Sequence, residues 1–260
     1  MLGGLMQADD SMIDLEFDLD RGVGTRANLG LIVLQTDETI EPEFRQLTAV
    51  DGVALYHSRI PSGAEVTPET LSGMQDDIAR SVSLLPAAVE FDVIGYGCTS
   101  AASVIGESAV EALVQSVRPT AKVTNPITAT KAALSKLGAQ RVAFVSPYIA
   151  EVSSSLRNTL TEGGFDIVSA GTFNESSDSV VARMTEASIL AAIIKLGQQL
   201  PCDAVFVSCT NLRVANVIEQ AEAKLDVPVI SSNQAMAWHM LRLAGINDSA
   251  QGVGKLFSEY

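Results

Sequence analysis

The chain carries one short pattern twice, and each copy closes on a cysteine. Asp92-Val-Ile-Gly-Tyr-Gly-Cys98-Thr99-Ser100 and Asp203-Ala-Val-Phe-Val-Ser-Cys209-Thr210-Asn211 are both apolar runs that stop at a small-residue turn bearing a thiol and a hydroxyl. The two cysteines lie 111 positions apart, and the same spacing aligns Leu31-Ile-Val-Leu-Gln-Thr-Asp37 with Val142-Ala-Phe-Val-Ser-Pro-Tyr148. Two landmarks sharing one offset point to a duplicated half-domain. Halves facing each other about a pseudo-two-fold axis would bring two thiols to one cleft. Two opposed thiols can carry a proton from one face of a carbon to the other.

The rest of the chain fills that frame with alternating strands and helices. Apolar runs predict strands over residues 28–34, 53–59, 91–96 and 122–124, then again over 142–145, 166–169, 204–207 and 227–230. Helical periodicity predicts helices between them, the longest over 68–84, 101–117 and 180–200. The expectation is an α/β chain of two pseudo-symmetric, doubly wound parallel-sheet lobes with the active site in the cleft between them. The first lobe would span residues 27–133 and be completed by about 234–260, and the second would span 134–233. Residues 1–26 are acidic and Gly-bearing and read as an extended arm for a neighbouring subunit.

Composition supports this class and excludes others. Hydrophobic residues make up 47% of the 260 but aromatics only 5%, so Val, Leu, Ile and Ala must fill the core, as they do in parallel sheets. The net charge of −14 repels phosphate backbones and argues against nucleic acid. Three cysteines without a CxxC, and a start lacking a signal-peptide pattern, suggest a reducing cytoplasm. No unbroken apolar run of about 20 residues predicts a membrane span. The chain shows no P-loop, no GxGxxG after a strand and no zinc-ligand spacing, so no nucleotide, flavin, metal or other cofactor is expected.

Ligands of doubly wound sheets bind at the carboxyl ends of strands. Asp37, Cys98, Tyr148 and Cys209 all stand there. A thiol at a helix start has its pKa lowered by the helix's partial positive end, and that is the expectation for both cysteines. Thr99, Ser100, Thr210 and Asn211 would orient a small substrate or cradle an anion with backbone N–H groups. Cys202, beside Pro201 and outside either repeat, reads as packing, and so does His239 beside Trp238. His57 has no partner at ligand spacing.

Thr36-Asp-Glu-Thr-Ile-Glu-Pro-Glu43, Tyr96-Gly-Cys-Thr-Ser-Ala101, Ser146-Pro-Tyr148, Ser208-Cys-Thr-Asn-Leu-Arg213 and Ser231-Ser-Asn-Gln-Ala235 together resemble the aspartate/glutamate racemase superfamily. That superfamily also holds maleate cis–trans isomerases and arylmalonate decarboxylases. The likeness covers about residues 27–257 and is strongest toward the maleate isomerase branch. It implies a cofactor-independent enzyme with two facing cysteines and a homodimer or homotetramer. In the racemases one thiolate removes a proton and the other thiol supplies one. In the maleate isomerases the cysteine matching Cys98 adds to the double bond, the carbon–carbon bond turns, and elimination gives the trans product. The tyrosine matching Tyr148 holds a substrate carboxylate. The decarboxylases lack the first cysteine, so Cys98 argues against their activity.

Two departures bear on the substrate. Maleate isomerases have Asn where this chain has Asp37, and a second Asn before a Gly/Ala-Arg pair, where this chain has Asp178 before Ala182-Arg183, with Asn174 close by. An ionised Asp cannot donate to a carboxylate but suits an ammonium group. A related branch, associated with ectoine and hydroxyectoine utilisation, carries the same Thr-Asp-x-Thr pattern, and its diaminobutyrate-type intermediates bear amino groups. The expected function is therefore a racemase or isomerase of a small amino or carboxylic acid. A maleate isomerase with Cys98 as nucleophile and a non-catalytic metabolite-binding protein are the alternatives.

Overall fold

A computed structural model describes residues 12–260. The apolar runs form eight strands in two sheets. In the first half β1 (Ala27–Leu34), α1 (Ile40–Leu47), β2 (Val53–Ile60), α2 (Pro68–Gly73), α3 (Ile78–Ser83), β3 (Val93–Gly97), α4 (Thr99–Ile105), α5 (Glu107–Gln115), β4 (Lys122–Thr124) and α6 (Pro126–Lys136) follow in order. The second half continues with β5 (Arg141–Tyr148), α7 (Ala150–Glu162), β6 (Asp166–Glu175), α8 (Asp178–Val181), α9 (Glu186–Gly197), β7 (Ala204–Val207), α10 (Ile218–Leu225), β8 (Val229–Ser231), α11 (Ser232–Leu243) and α12 (Lys255–Glu259). The sheets run β2-β1-β3-β4 and β6-β5-β7-β8, all parallel and in the same relative order. Both cysteine-bearing strands, β3 and β7, are central and buried along their whole length, as a parallel sheet covered by helices on both faces requires.

Strand register refines the repeat. Leu29 pairs with Val93 in one sheet where Val142 pairs with Ala204 in the other. β3 and β7 keep the 111-residue spacing, whereas β1 and β5 stand two positions off it. A slip of two leaves every side chain on its own face, so the apolar pattern alone could not reveal it. By register Tyr148 matches Gln35, and Asp37 lies in the turn beyond.

Three long helices expected from periodicity are broken. The 68–84 stretch begins at a Thr67–Thr70 capping box, passes through a 3-10 turn at Met74–Asp77 and resumes as α3. The 101–117 stretch splits at Gly106, whose φ of +93° only glycine adopts readily. The 180–200 stretch becomes α8 and α9, the latter capped by the Thr185 hydroxyl on Ser188 N.

The last long helix returns to the first sheet. Gly95 of β3 leaves the room that the Met236 and Met240 side chains of α11 occupy; a Cβ there would lie 2.5 Å from Met236 Cε. Expected arm residues 1–11 lie outside the described residues, and residues 12–23 are exposed and without regular structure. No helix of the described residues is long and apolar enough to cross a membrane.

Candidate active site

Five ionisable side chains from both halves meet between the carboxyl ends of the two sheets: Asp37, Cys98, Tyr148, Asp178 and Cys209. Each is at most 6% exposed. Each thiol senses the charges of both Asp37 and Asp178, which places all four groups in one cluster.

The Asp37 turn is fixed by its own carboxylate. Asp37 Oδ1 accepts from Thr39 N and Ile40 N, both at 2.8 Å, and so caps the start of α1. From outside, the Arg59 guanidinium donates to the carbonyls of Leu34, Gln35 and Asp37. Oδ2 has no hydrogen-bond partner among the described residues. Burial lifts the Asp37 pKa to about 6, and the Asp178 charge adds to the rise.

Asp178 opens α8 and receives the Tyr148 hydroxyl on Oδ1 at 3.0 Å and the Thr36 hydroxyl on Oδ2 at 2.6 Å. Asn174, the other candidate for this position, is exposed on β6 with φ +57°, unlike buried Asp178. Neither Asp37 nor Asp178 forms an ion pair with a Lys or Arg among the described residues. Two buried carboxylates without a cation are costly and call for a proton or a positively charged guest.

The two thiols are held differently. Cys98 is the N-cap of α4, extended at φ −144°, and its Sγ accepts from Ala101 N at 3.3 Å. Cys209 leaves β7 with φ +124°, a region costly for a residue with a Cβ, and no helix follows it directly. Its Sγ accepts from Asn211 N at 3.2 Å and lies 3.0 Å from Tyr148 Oη. Because the phenol gives its only proton to Asp178, the Cys209 thiol is the donor to Oη. The expected lowering of the thiol pKa values is overturned for both. Burial pushes Cys98 up to about 12 and Cys209 well above the usual thiol range, and the nearby carboxylates push in the same direction. One N–H at 3.3 Å cannot offset full desolvation beside two acids.

The polar residues flanking the thiols divide into two kinds. Asn211 spends its amide on backbone groups: Oδ1 accepts from Glu38 N, and Nδ2 donates to Asp178 O. It ties the Asp37, Asp178 and Cys209 turns together. Thr99 donates to Ser232 Oγ, which also accepts from Cys209 N, so one hydroxyl links the two cysteine turns. Ser100 Oγ is buried without a partner among the described residues, and Thr210 Oγ1 reaches Gly97 O only at a marginal 3.5 Å. Thr210 also bears on the Asp37 carboxylate, so of the two Ser100 is the hydroxyl without a partner among the described residues.

Sequence reasoning gave no role to Thr36, Glu43 or Ser232. Glu43 is buried in α1. Its Oε1 accepts from Val214 N and Ala215 N, and its Oε2 from Asn233 Nδ2. Asn233 in turn donates to Thr210 O. Burial lifts the Glu43 pKa to about 7. All three residues lie inside the quoted motifs, which was the available signal. Cys202 lies apart from the cluster, half-buried near Gly197. His57 and His239 are also elsewhere, the latter hydrogen-bonded to Thr124.

A family model described as arylmalonate decarboxylase matches residues 29–257. The arylmalonate decarboxylase of Bordetella bronchiseptica is 30% identical over 232 residues, covering 85% of this chain and 95% of that protein. The chain belongs to the arylmalonate decarboxylase family. Maleate isomerases are among its relatives: that of Nocardia farcinica is 28% identical over 241 residues, covering 89% of this chain and 95% of its own length. A solved structure of the Nocardia enzyme, a cysteine-to-serine variant holding a covalently bound succinylcysteine intermediate, superposes with a TM-score of 0.83 at 25% identity and covers 90% of this chain and 99% of that one. The family members named here are isomerases and a decarboxylase, and the two-sheet frame of this chain is theirs.

Proposed function

We propose that this family member is a cofactor-independent racemase or epimerase of a small amino-bearing acid, working by proton transfer between Cys98 and Cys209. The observation that carries the reading is the buried Asp37–Asp178 pair beside both thiols with no cation. A substrate ammonium between the two carboxylates supplies the missing charge. A dianion such as maleate would instead meet two like charges, at a cost of roughly a few kcal/mol at intermediate dielectric. The unpartnered Ser100 hydroxyl is available to a substrate carboxylate.

Cys209 passes its proton to Tyr148 Oη while the phenol passes its own to Asp178, leaving a thiolate and a neutral acid. The substrate ammonium favours this thiolate. Cys209 then takes the α-proton, Cys98 delivers its thiol proton to the opposite face, and the product leaves with inverted configuration. Turnover leaves Cys98 as the thiolate and Asp178 protonated; return of that proton to Cys98 through solvent, once product has left, completes the cycle, and the reverse direction starts from the Cys98 thiolate. Diaminobutyrate-type intermediates of ectoine and hydroxyectoine use fit this charge pattern, as the Thr36-Asp37 motif suggests.

A second reading keeps the cleft but makes Cys98 a nucleophile toward maleate, and the maleate isomerase relatives favour it. Incubation in D2O with maleate, aspartate, glutamate, 2,4-diaminobutyrate and its N-acetyl forms, followed by NMR, separates the two. Solvent deuterium at the α-carbon of an amino-bearing compound is the expected result. Maleate-to-fumarate conversion without such exchange, with a thioether mass on Cys98, establishes the second reading instead.

A further inference from the structure

The described part of the arm has a pattern that the catalytic reading does not use. Ile13-Asp14-Leu15-Glu16-Phe17-Asp18-Leu19-Asp20 alternates apolar and acidic residues without a fault. Drawn out as a strand, it would set four apolar side chains on one face and four carboxylates on the other. Ile13, Leu15, Phe17 and Leu19 are 80–87% exposed on the folded chain. A solvated linker has no need of this periodicity; a strand with one greasy side does. The family match begins at residue 29, so the arm is an addition to the family's unit.

The chain also offers a complementary surface. β6 is a ten-residue edge strand paired on one side only, with β5. On its α9 side lies a groove of about 260 Å³ floored by Gly171, Phe173, Ala192 and Leu196, with Lys195 at its rim. On its α7 side lies a second groove lined by Phe144, Ala150, Ala170, Thr172, Ser154 and Arg157. Neither Lys195 nor Arg157 has an ion-pair partner among the described residues. Each groove beside this open strand edge joins an apolar lining to one cation, Lys195 on one side and Arg157 on the other, which suits an arm of alternating apolar and acidic residues. The corresponding edge of the first sheet, β2, has a groove where Asp51 stands beside Arg45 and His57, so its cations already face a carboxylate, and it is the competing site that the Arg45→Glu variant tests.

We propose that residues 13–20 of one copy add as a strand to the open edge of β6 in a second copy. Leu15 and Phe17 enter the α9-side groove, and Glu16 and Asp18 face Arg157. Main-chain hydrogen bonds along the edge supply affinity and the alternating side chains supply register. The exchange is reciprocal in a two-fold dimer, each copy giving one arm and receiving one. It also covers an edge that would otherwise be open to unspecific pairing.

Sedimentation velocity on the full chain at micromolar concentration tests this, with circular dichroism confirming that each variant is folded. The full chain is expected to run as a dimer or larger assembly, and the Leu15→Asp/Phe17→Asp variant as a smaller species. Arg157→Glu is expected to weaken assembly at least tenfold, and adding Glu16→Lys/Asp18→Lys to it to restore assembly. A monomeric full chain, an assembly unchanged by Leu15→Asp/Phe17→Asp, or dissociation caused by Arg45→Glu at the β2 edge but not by Arg157→Glu would overturn the proposal. All these positions are exposed and outside the catalytic cluster, so the outcome does not depend on the substrate.

Discussion

At the scale of single residues the cluster is a set of groups held away from their ordinary charge states. Cys98→Ser and Cys209→Ser are each expected to lower α-proton exchange by about 10²–10⁴-fold, since a hydroxyl is a far weaker acid than a thiol; steady-state kinetics and a thermal melt, the latter unchanged, check this. Tyr148→Phe removes the donor to Asp178 and the acceptor of the Cys209 thiol together, and a tenfold to hundredfold loss in kcat with little change in KM is the expected cost, on the order of 1–3 kcal/mol. Asp37 titrates near 6 in the folded chain against about 4 when unfolded, so the native state holds its proton more tightly. Its contribution to stability is therefore complete below pH 4 and is lost as pH rises through 6; Glu43 acts in the same sense up to about 7. Urea titrations without substrate should show lower stability at pH 8 than at pH 5. Asp37→Asn, which keeps the Oδ1 bonds to Thr39 and Ile40, should remove a large part of that slope. The sequence pointed to Asp37, Cys98, Tyr148 and Cys209 because each follows a strand. It could not show that Asn211 serves the backbone, or that burial outweighs the helix end at Cys98, since both depend on what packs against those residues.

At the scale of elements, the strands were legible and the helix breaks were not. A strand buried on both faces announces itself by an unbroken apolar run, as at β3 and β7. A helix broken at Gly106 keeps its apolar spacing on either side, and a single glycine inside such a pattern is an ambiguous sign. The structure makes it specific: at φ +93° a Cβ would meet nothing within 4 Å, so the whole penalty of a side chain there is backbone strain. Gly106→Ala should cost about 1–3 kcal/mol in urea unfolding while leaving proton exchange intact. The two-residue slip between β1 and β5 belongs to the same class, because a period of two hides it from any reading of apolar pattern.

At the scale of the whole molecule, the cluster of thiols and carboxylates is buried. Thr36 to Asp178, Glu38 N to Asn211, Glu43 to Val214 and Ala215, and Thr99 to Ser232 all join the two halves around it. Access to the thiols is therefore expected to require some opening around them. Alkylation by iodoacetamide should therefore be slow at Cys98 and Cys209 compared with half-buried Cys202, with peptide mass spectrometry assigning the sites. Thr36→Val, which deletes one bond between the halves, should speed labelling of Cys209 more than of Cys202.

The duplicated frame hides an inequality. One thiol sits on an extended helix cap and the other on a left-handed turn beside a phenol, so under the proposed proton transfer the two faces of the bound carbon would meet acids of different strength. For mirror-image substrates the equilibrium constant is fixed at unity, so kcat/KM must be equal in both directions. The inequality can then surface only where kcat and KM change together, and in solvent isotope effects that differ with the enantiomer supplied.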